Sequence, residues 1–320
     1  MNRKSAFITL VISTAIFVHV VDAQTKRLPR IGWLSLRQGP TISPAFMQGL
    51  RELGWFTGEN ILIEARFADE RSDQLPKLAA ELVKMEVDVI VAASSPVIRP
   101  AKNATRTIPI VMTVVGDPVS RGHVASLARP GGNITGLSND LGPLDGKRLE
   151  ILKQAVPSVS RVAVFDPTGL VDWKMMETVS RVLGIKLRGL PMFKRSDELE
   201  GLFKATLSNR INGLLIVASA WTNLHRNKII EFASQYRVPA MYPVSIYAAA
   251  GGLMSYGPRL DVMNRRAAYF VDRILKGAKP ADLPVERPMA AEFVINLKAA
   301  DAIGTKIPPE VLQRADKVIR

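Results

Sequence analysis

Short apolar runs alternating with amphipathic stretches predict an α/β fold, two doubly wound lobes each built on a parallel sheet. Three observations predict it. The apolar runs have strand length and are apolar throughout, as strands covered on both faces are. Helical spacing fills the intervals between them. The rhythm then starts again near Ser138–Asp145, and 320 residues with 47% hydrophobic content suffice for two cores.

The elements follow in order. Arg30-Ile31-Gly32-Trp33-Leu34-Ser35-Leu36 reads as a strand. A helix over Ser43–Leu53 has Ser43 and Pro44 as cap and first helical residue, with Phe46, Met47, Leu50 and Leu53 on one face and Gly54 as its stop. Asn60–Phe67 alternates like a half-buried strand, and Ser72–Met85 carries Leu75, Leu78, Ala79 and Leu82 in helical register. Val87–Ala93 is a strand, Pro96–Ala104 a helix capped by Ser94 or Ser95, and Pro109–Val115 the next strand. A helix is expected over Val119–Ala128, then a short strand over Ile134–Leu137.

The second round expects helices at Asp145–Ala155, Val171–Leu183, Asp197–Leu207, Asn223–Tyr236 and Leu260–Lys276. Its strands are expected at Arg161–Asp166, Lys186–Pro191, Gly213–Ala218, Pro239–Tyr242 and Gly252–Tyr256. The two halves repeat an architecture, not a sequence. Ligands of open α/β sheets bind beyond the carboxyl ends of the strands. Two such lobes facing each other make a cleft that can close on a solute.

Composition narrows the function. There is no cysteine, which removes disulfides, thiolate metal sites, thiol catalysis and lipid attachment at an N-terminal cysteine. Met1-Asn2-Arg3-Lys4, the uncharged run Ala6–Val21 and Val21-Asp22-Ala23 predict a signal peptide over 1–23, cleaved after Ala23, and an exported, periplasmic protein. The formal charge is +14. The basic residues are scattered and no arginine-rich arm occurs, so the expectation is a basic solvated surface and no nucleic-acid partner. His19, His123 and His225 have no metal-ligand spacing, and no nucleophile elbow or dinucleotide fingerprint is present. Neither a metal, a cofactor nor catalysis is expected.

Arg129-Pro130-Gly131-Gly132-Asn133 tests that reading. A phosphate loop runs strand, glycines, helix, so that a helix N-terminus meets the anion. Here the glycines precede a strand, and they are expected to cap a helix C-terminus and turn the chain.

Val115-Gly116-Asp117-Pro118-Val119, Ser126–Gly136, Ala250–Gly257, Val294–Ala300, Ile307-Pro308-Pro309 and Arg314-Ala315-Asp316 resemble one family along nearly all of the chain from Ile31. It is the family of ABC transporter substrate-binding proteins that includes tryptophan- and tyrosine-binding members. The resemblance implies a type I periplasmic-binding fold with three hinge crossings. Leu260–Lys276 would return to the first lobe and Phe293–Leu297 to the second. The lobes become 30–140 with 258–285 and 141–257 with 286–320. The implied partners are a small ligand, an amino acid, an aromatic one included, or another small carboxylate, and the ABC permease that receives it from a monomer. A sensor of the same fold, presenting its ligand to a membrane receptor, is the alternative.

Candidate ligand contacts sit at strand carboxyl ends. Ser94, Ser95 and Pro96 offer two hydroxyls and a helix N-terminus to a carboxylate, or serve as an ordinary cap. In the loop Val115, Gly116 and Asp117, Gly116 allows close approach, while Asp117 either holds a ligand ammonium or caps the next helix. Arg37 and Gln38 share that rim, or are solvated. The second lobe contributes Asp166, Ser219, Trp221 and Tyr242, with Trp221 either stacking on a planar ligand or packing within its loop. Tyr256 belongs near the hinge, as packing or contact. The family often has an acidic residue near Ser219. This chain has Ser219-Ala220-Trp221-Thr222, which puts an amino-acid ligand in question.

Overall fold

The computed structural model describes residues 27–37, 41–139, 144–167, 169, 171–190, 201, 210–288 and 291–320. The expected leader at 1–23, Gln38 and all but Gly201 of the helix expected over 197–207 lie outside the described residues.

The first sheet holds β1 (Arg30–Ser35), β2 (Leu62–Phe67), β3 (Val89–Ala92), β4 (Ile110–Val115) and β5 (Ile134–Ser138), in the order β2-β1-β3-β4-β5. Every neighbouring pair is parallel. Between the strands lie α1 (Pro44–Glu52), α2 (Leu75–Lys84) and α3 (Ser95–Ala104). Ile31, Trp33, Val89 and Val91 pack on one face with Phe46 and Leu50 of α1. Leu34, Ile90 and Ala92 pack on the other with Leu75, Leu82 and Val97. Burial on both faces makes these strands continuous apolar runs. Each large side chain so buried stabilises the fold by about 1.5–3 kcal/mol.

The second sheet holds β6 (Arg161–Phe165), β7 (Lys186–Gly189), β8 (Gly213–Ile216), β9 (Ala240–Tyr242), β10 (Met254–Pro258), β11 (Ala291–Asn296) and β12 (Lys317–Ile319). Their order is β12-β11-β10-β9-β8-β6-β7. Around it lie α4 (Asp145–Ala155), α5 (Trp173–Val182), α6 (Ala220–Leu224), α7 (Arg226–Gln235), α8 (Ser245–Ala249), α10 (Leu297–Ala302) and α11 (Pro309–Leu312). Val162, Val164, Leu215 and Met241 pack against Leu149 and Leu152 of α4. Phe165, Leu214, Ile216 and Tyr242 pack against Ile229, Phe232 and Tyr247 on the other face.

The chain passes between the sheets three times. It leaves β5 for α4. It leaves β10 for α9 (Leu260–Leu275), whose Met263, Ala267 and Phe270 join the α1 side of the first core. It then runs beside β5, where Glu286 N donates to Gly136 O (3.0 Å) and Ser138 N donates to Glu286 O (2.9 Å), before entering β11.

Three expectations are corrected. The second sheet is mixed: β11 is antiparallel to β10, because the third pass enters at the end where β10 leaves. No helix forms over 119–128. Pro118 O instead accepts from His123 N (2.8 Å) and Val124 N (3.3 Å), closing a series of turns, so Gly131 and Gly132 turn the chain without capping a helix. The helix expected over 223–236 is divided at His225, which ends α6 and precedes α7.

Candidate functional site

On the first lobe the carboxyl ends of β3 and β4 form one rim. Ser94 caps α3 with extended backbone (φ −172°, ψ 165°), and its side chain caps nothing. Its Oγ is buried and has no hydrogen-bond partner among the described residues. Ser95 Oγ accepts from Gly116 N (3.2 Å), tying the loop after β4 to the start of α3. Pro96 opens the helix, where a missing N–H costs nothing.

Asp117 Oδ1 accepts from Val119 N (3.0 Å) and Ser120 N (3.2 Å). Burial pushes its carboxyl up, but the Ser120 and Val119 bonds and the positive charge of Arg287 outweigh that and hold it below its ordinary value. Of its two open roles the carboxylate performs capping, of a turn in place of the expected helix. Val115 is fully buried in the first core, so its side chain faces away from the rim; its carbonyl accepts from Asn139 N (2.7 Å). Arg37 is exposed after β1.

On the second-lobe rim Asp166 and Ser219 are held by their own loops, while Asn223 Oδ1 of α6 is buried without a partner among the described residues. Asp166, 6% exposed, accepts from Gly169 N at Oδ1 and from Val171 N at Oδ2, each at 3.0 Å, and so pins the loop from β6 to α5. Ser219 forms a reciprocal capping box: its Oγ accepts from Thr222 N (2.9 Å) and its N–H donates to Thr222 Oγ1 (3.0 Å). Trp221 is half-buried, edge-on to Phe165 at 5.6 Å and against His225 at 4.1 Å between ring centres. Its ring is packed within the loop.

Tyr242 is not on the rim. It is buried in the second core and stacked on Tyr247 at 5.0 Å, and burial, then Tyr247, pushes its hydroxyl far above the ordinary phenol range. Tyr256 packs edge-on to Phe293 at 6.4 Å beside the crossing into α9. Burial, then Lys228, lowers the pKa of His225, and the charge of Glu70 works the other way.

Arg148 was missed by sequence reasoning. This guanidinium, 6% exposed, sits in the first turn of α4 beside the hinge. Nε donates to Tyr256 O (2.8 Å), Nη1 to Asp145 Oδ1 (2.7 Å) and Nη2 to Pro243 O (3.2 Å). A Cβ on Gly257 would stand 1.8 Å from Pro243 O, so only glycine lets β10 approach this loop. The available signal was register: Arg148 lies on one stripe with buried Leu152 and Ala155, where a charge needs partners.

Among the described residues no cluster of His, Asp or Glu is placed to hold a metal, and no helix is long and apolar enough to cross a membrane. The geometry offers a rim with an uncommitted hydroxyl at a helix N-terminus, a facing rim and a three-pass hinge. It suits binding a small solute.

Comparison with known proteins agrees. Residues 40–319 match the family model for ABC transporter substrate binding proteins. A tyrosine-binding protein of Clostridioides difficile is 27% identical over 286 residues, 87% of this chain and 82% of that one. A conserved domain protein from Vibrio cholerae superposes with a TM-score of 0.80 at 26% identity, covering 91% of this chain and 100% of that one. A Streptococcus pneumonia ABC domain in complex with L-Trp superposes with a TM-score of 0.80 at 22% identity, with the same coverage of both chains. With 280 of its residues under the family model, two sheets and three passes, this chain belongs to the ABC transporter substrate-binding proteins.

Proposed function

We propose that the protein holds a small carboxylate between its lobes, an amino acid with aromatic ones first, and hands it to an ABC permease without chemical change. The observation that carries this is the first-lobe rim. Ser94 Oγ is without a partner at the N-terminus of α3, and Gly116 is tied alongside by Ser95. Free N–H groups, the helix dipole and a hydroxyl there suit an anion. The names of the tyrosine-binding relative and the L-Trp complex support the ligand class. Asp166 and Ser219 are taken up within their own loops, so a carboxylate without an ammonium group is an equal member of that class. The setting is extracytoplasmic, with export through a leader ending at Ala23 and a monomer as the working form.

A thermal-shift screen of the protein against amino acids, aromatic acids, sugars and nucleosides tests this. Ligand at a hundredfold excess over Kd adds about 2.7 kcal/mol of stability, a clear rise in Tm. The expected hit is a carboxylate whose shift is lost in Ser94→Ala/Ser95→Ala. No shift with any carboxylate, or a shift indifferent to that double variant, overturns the reading.

A further inference from the structure

A cavity of about 300 Å³ lies on the first lobe away from the cleft, lined by Lys102, His123, Pro130, Gly131, Gly132 and Asn133 with their neighbours. Lys102 stands in the last turn of α3, about 10 Å along the helix from Ser95 at the rim. Asn133 directly precedes β5, whose other end, Ser138, pairs with Val115 near the cleft. The cavity therefore sits at the amino end of β5, opposite the strand ends that carry the ligand rim.

Its chemistry is cationic. Lys102 Nζ donates to Gly122 O (2.6 Å) and His123 O (3.4 Å), which leaves one of the ammonium's three donors. The charges that bear on buried His123 are all positive. Burial first, then Lys102, Arg121 and Arg99, holds the imidazole below its ordinary value. Among the described residues no ion pair joins Lys102, Arg121 or Arg99 to a carboxylate. Gly131 adopts φ +77°, and the N–H groups of Gly131 and Gly132 donate to no backbone or side-chain acceptor in the described part of the chain. Successive N–H groups at a left-handed residue form a concavity for anions, and a lysine is a point charge for phosphate.

We propose that this cavity is an anion site, separate from the cleft, that takes a phosphate group carried by a small molecule or by a lipid headgroup. It uses the glycine turn in a way the strand-glycine-helix order of a phosphate loop does not require, with lysine in place of a helix N-terminus.

The test titrates the whole protein with inorganic phosphate, followed by phosphorus NMR, and sediments it with phosphatidylcholine vesicles with and without phosphatidylglycerol. Two variants report on the site. Lys102→Gln removes the ammonium. Gly132→Leu sets a bulky apolar side chain on the lining and removes the freedom of the glycine turn; the φ of Gly132 is not positive, and a Cβ there meets nothing within 4 Å, so the backbone tolerates it. Saturable phosphate binding that weakens about tenfold or more in both variants and survives Ser94→Ala supports the proposal with a soluble source. Sedimentation with phosphatidylglycerol alone, lost in both variants, supports it with a headgroup source. Absence of both, binding that survives Gly132→Leu, or phosphate binding lost in Ser94→Ala overturns it.

Discussion

Ser94 and Ser219 occupy equivalent places in the two lobes. Each follows a strand, β3 or β8, and caps a helix with extended backbone. Ser219 completes a capping box with Thr222, while Ser94 Oγ is buried with no partner among the described residues. The same contrast separates the loops beside them. Asp166 accepts from two N–H groups of its own loop, whereas Ser95 links two loops and leaves its neighbour's hydroxyl uncommitted. A hydrogen-bonding group buried without a partner costs free energy that a ligand can recover, so on the proposed reading Ser94 receives the ligand while Asp166 and Ser219 hold the shape of their loops. Substitutions on the second lobe should therefore register as stability, and those on the first rim as affinity.

The largest expected effect lies where the second lobe meets the hinge. Arg148→Met leaves Asp145, Tyr256 O and Pro243 O without their buried donor. Breaking a buried pair from one side costs about 3–5 kcal/mol, which urea denaturation will read directly. A loss below about 1 kcal/mol would mean that the hinge loops hold themselves and that the lobes do not differ as described.

Next comes Asp166→Ala. Two loop N–H groups lose their acceptor, and about 1–3 kcal/mol should go with them in the same denaturation series. Ser94→Ala, by contrast, should keep or slightly raise stability, because it removes a buried hydroxyl without a partner, while weakening the ligand found by the screen. If Asp166→Ala instead leaves stability intact and abolishes binding, the carboxylate belongs to the ligand and the two rims act alike.

Most of the fold was legible because period and punctuation agreed. Phe46 and Leu50 face the core of α1 behind Pro44, and the strands around Ile90 and Val164 are continuous apolar runs. The stretch over 119–128 misled because Val124 and Leu127 have helical spacing, yet Asp117 captures the first N–H groups and Pro118 O the later ones. That local competition of an aspartate with helix geometry does not show in periodicity. Strand ends named the rim loops but not side-chain direction. Val115 and Tyr242 end their strands pointing into cores, and the register of Arg148 does not show the partners from β10 and the loop after β9 that hold it.

The smallest effect sharpens the first-lobe half of the comparison, because Asp117 is a rim carboxylate whose ionisation favours the fold. Its folded pKa lies below the ordinary 3.8: burial works against ionisation, and the Ser120 and Val119 bonds with the charge of Arg287 prevail. A depressed carboxylate stabilises the protein at every pH above its unfolded value, and that contribution is lost as pH falls through the lower folded value. The acid limb of Tm against pH should therefore be steeper below about pH 4 in the parent protein than in Asp117→Asn. At neutral pH the variant should show a small constant loss. Parallel acid limbs would show that the carboxylate gains nothing from its turn and is free to face a ligand. The first rim would then present an anion beside Ser94, and the preference for carboxylates would give way to one for cationic groups.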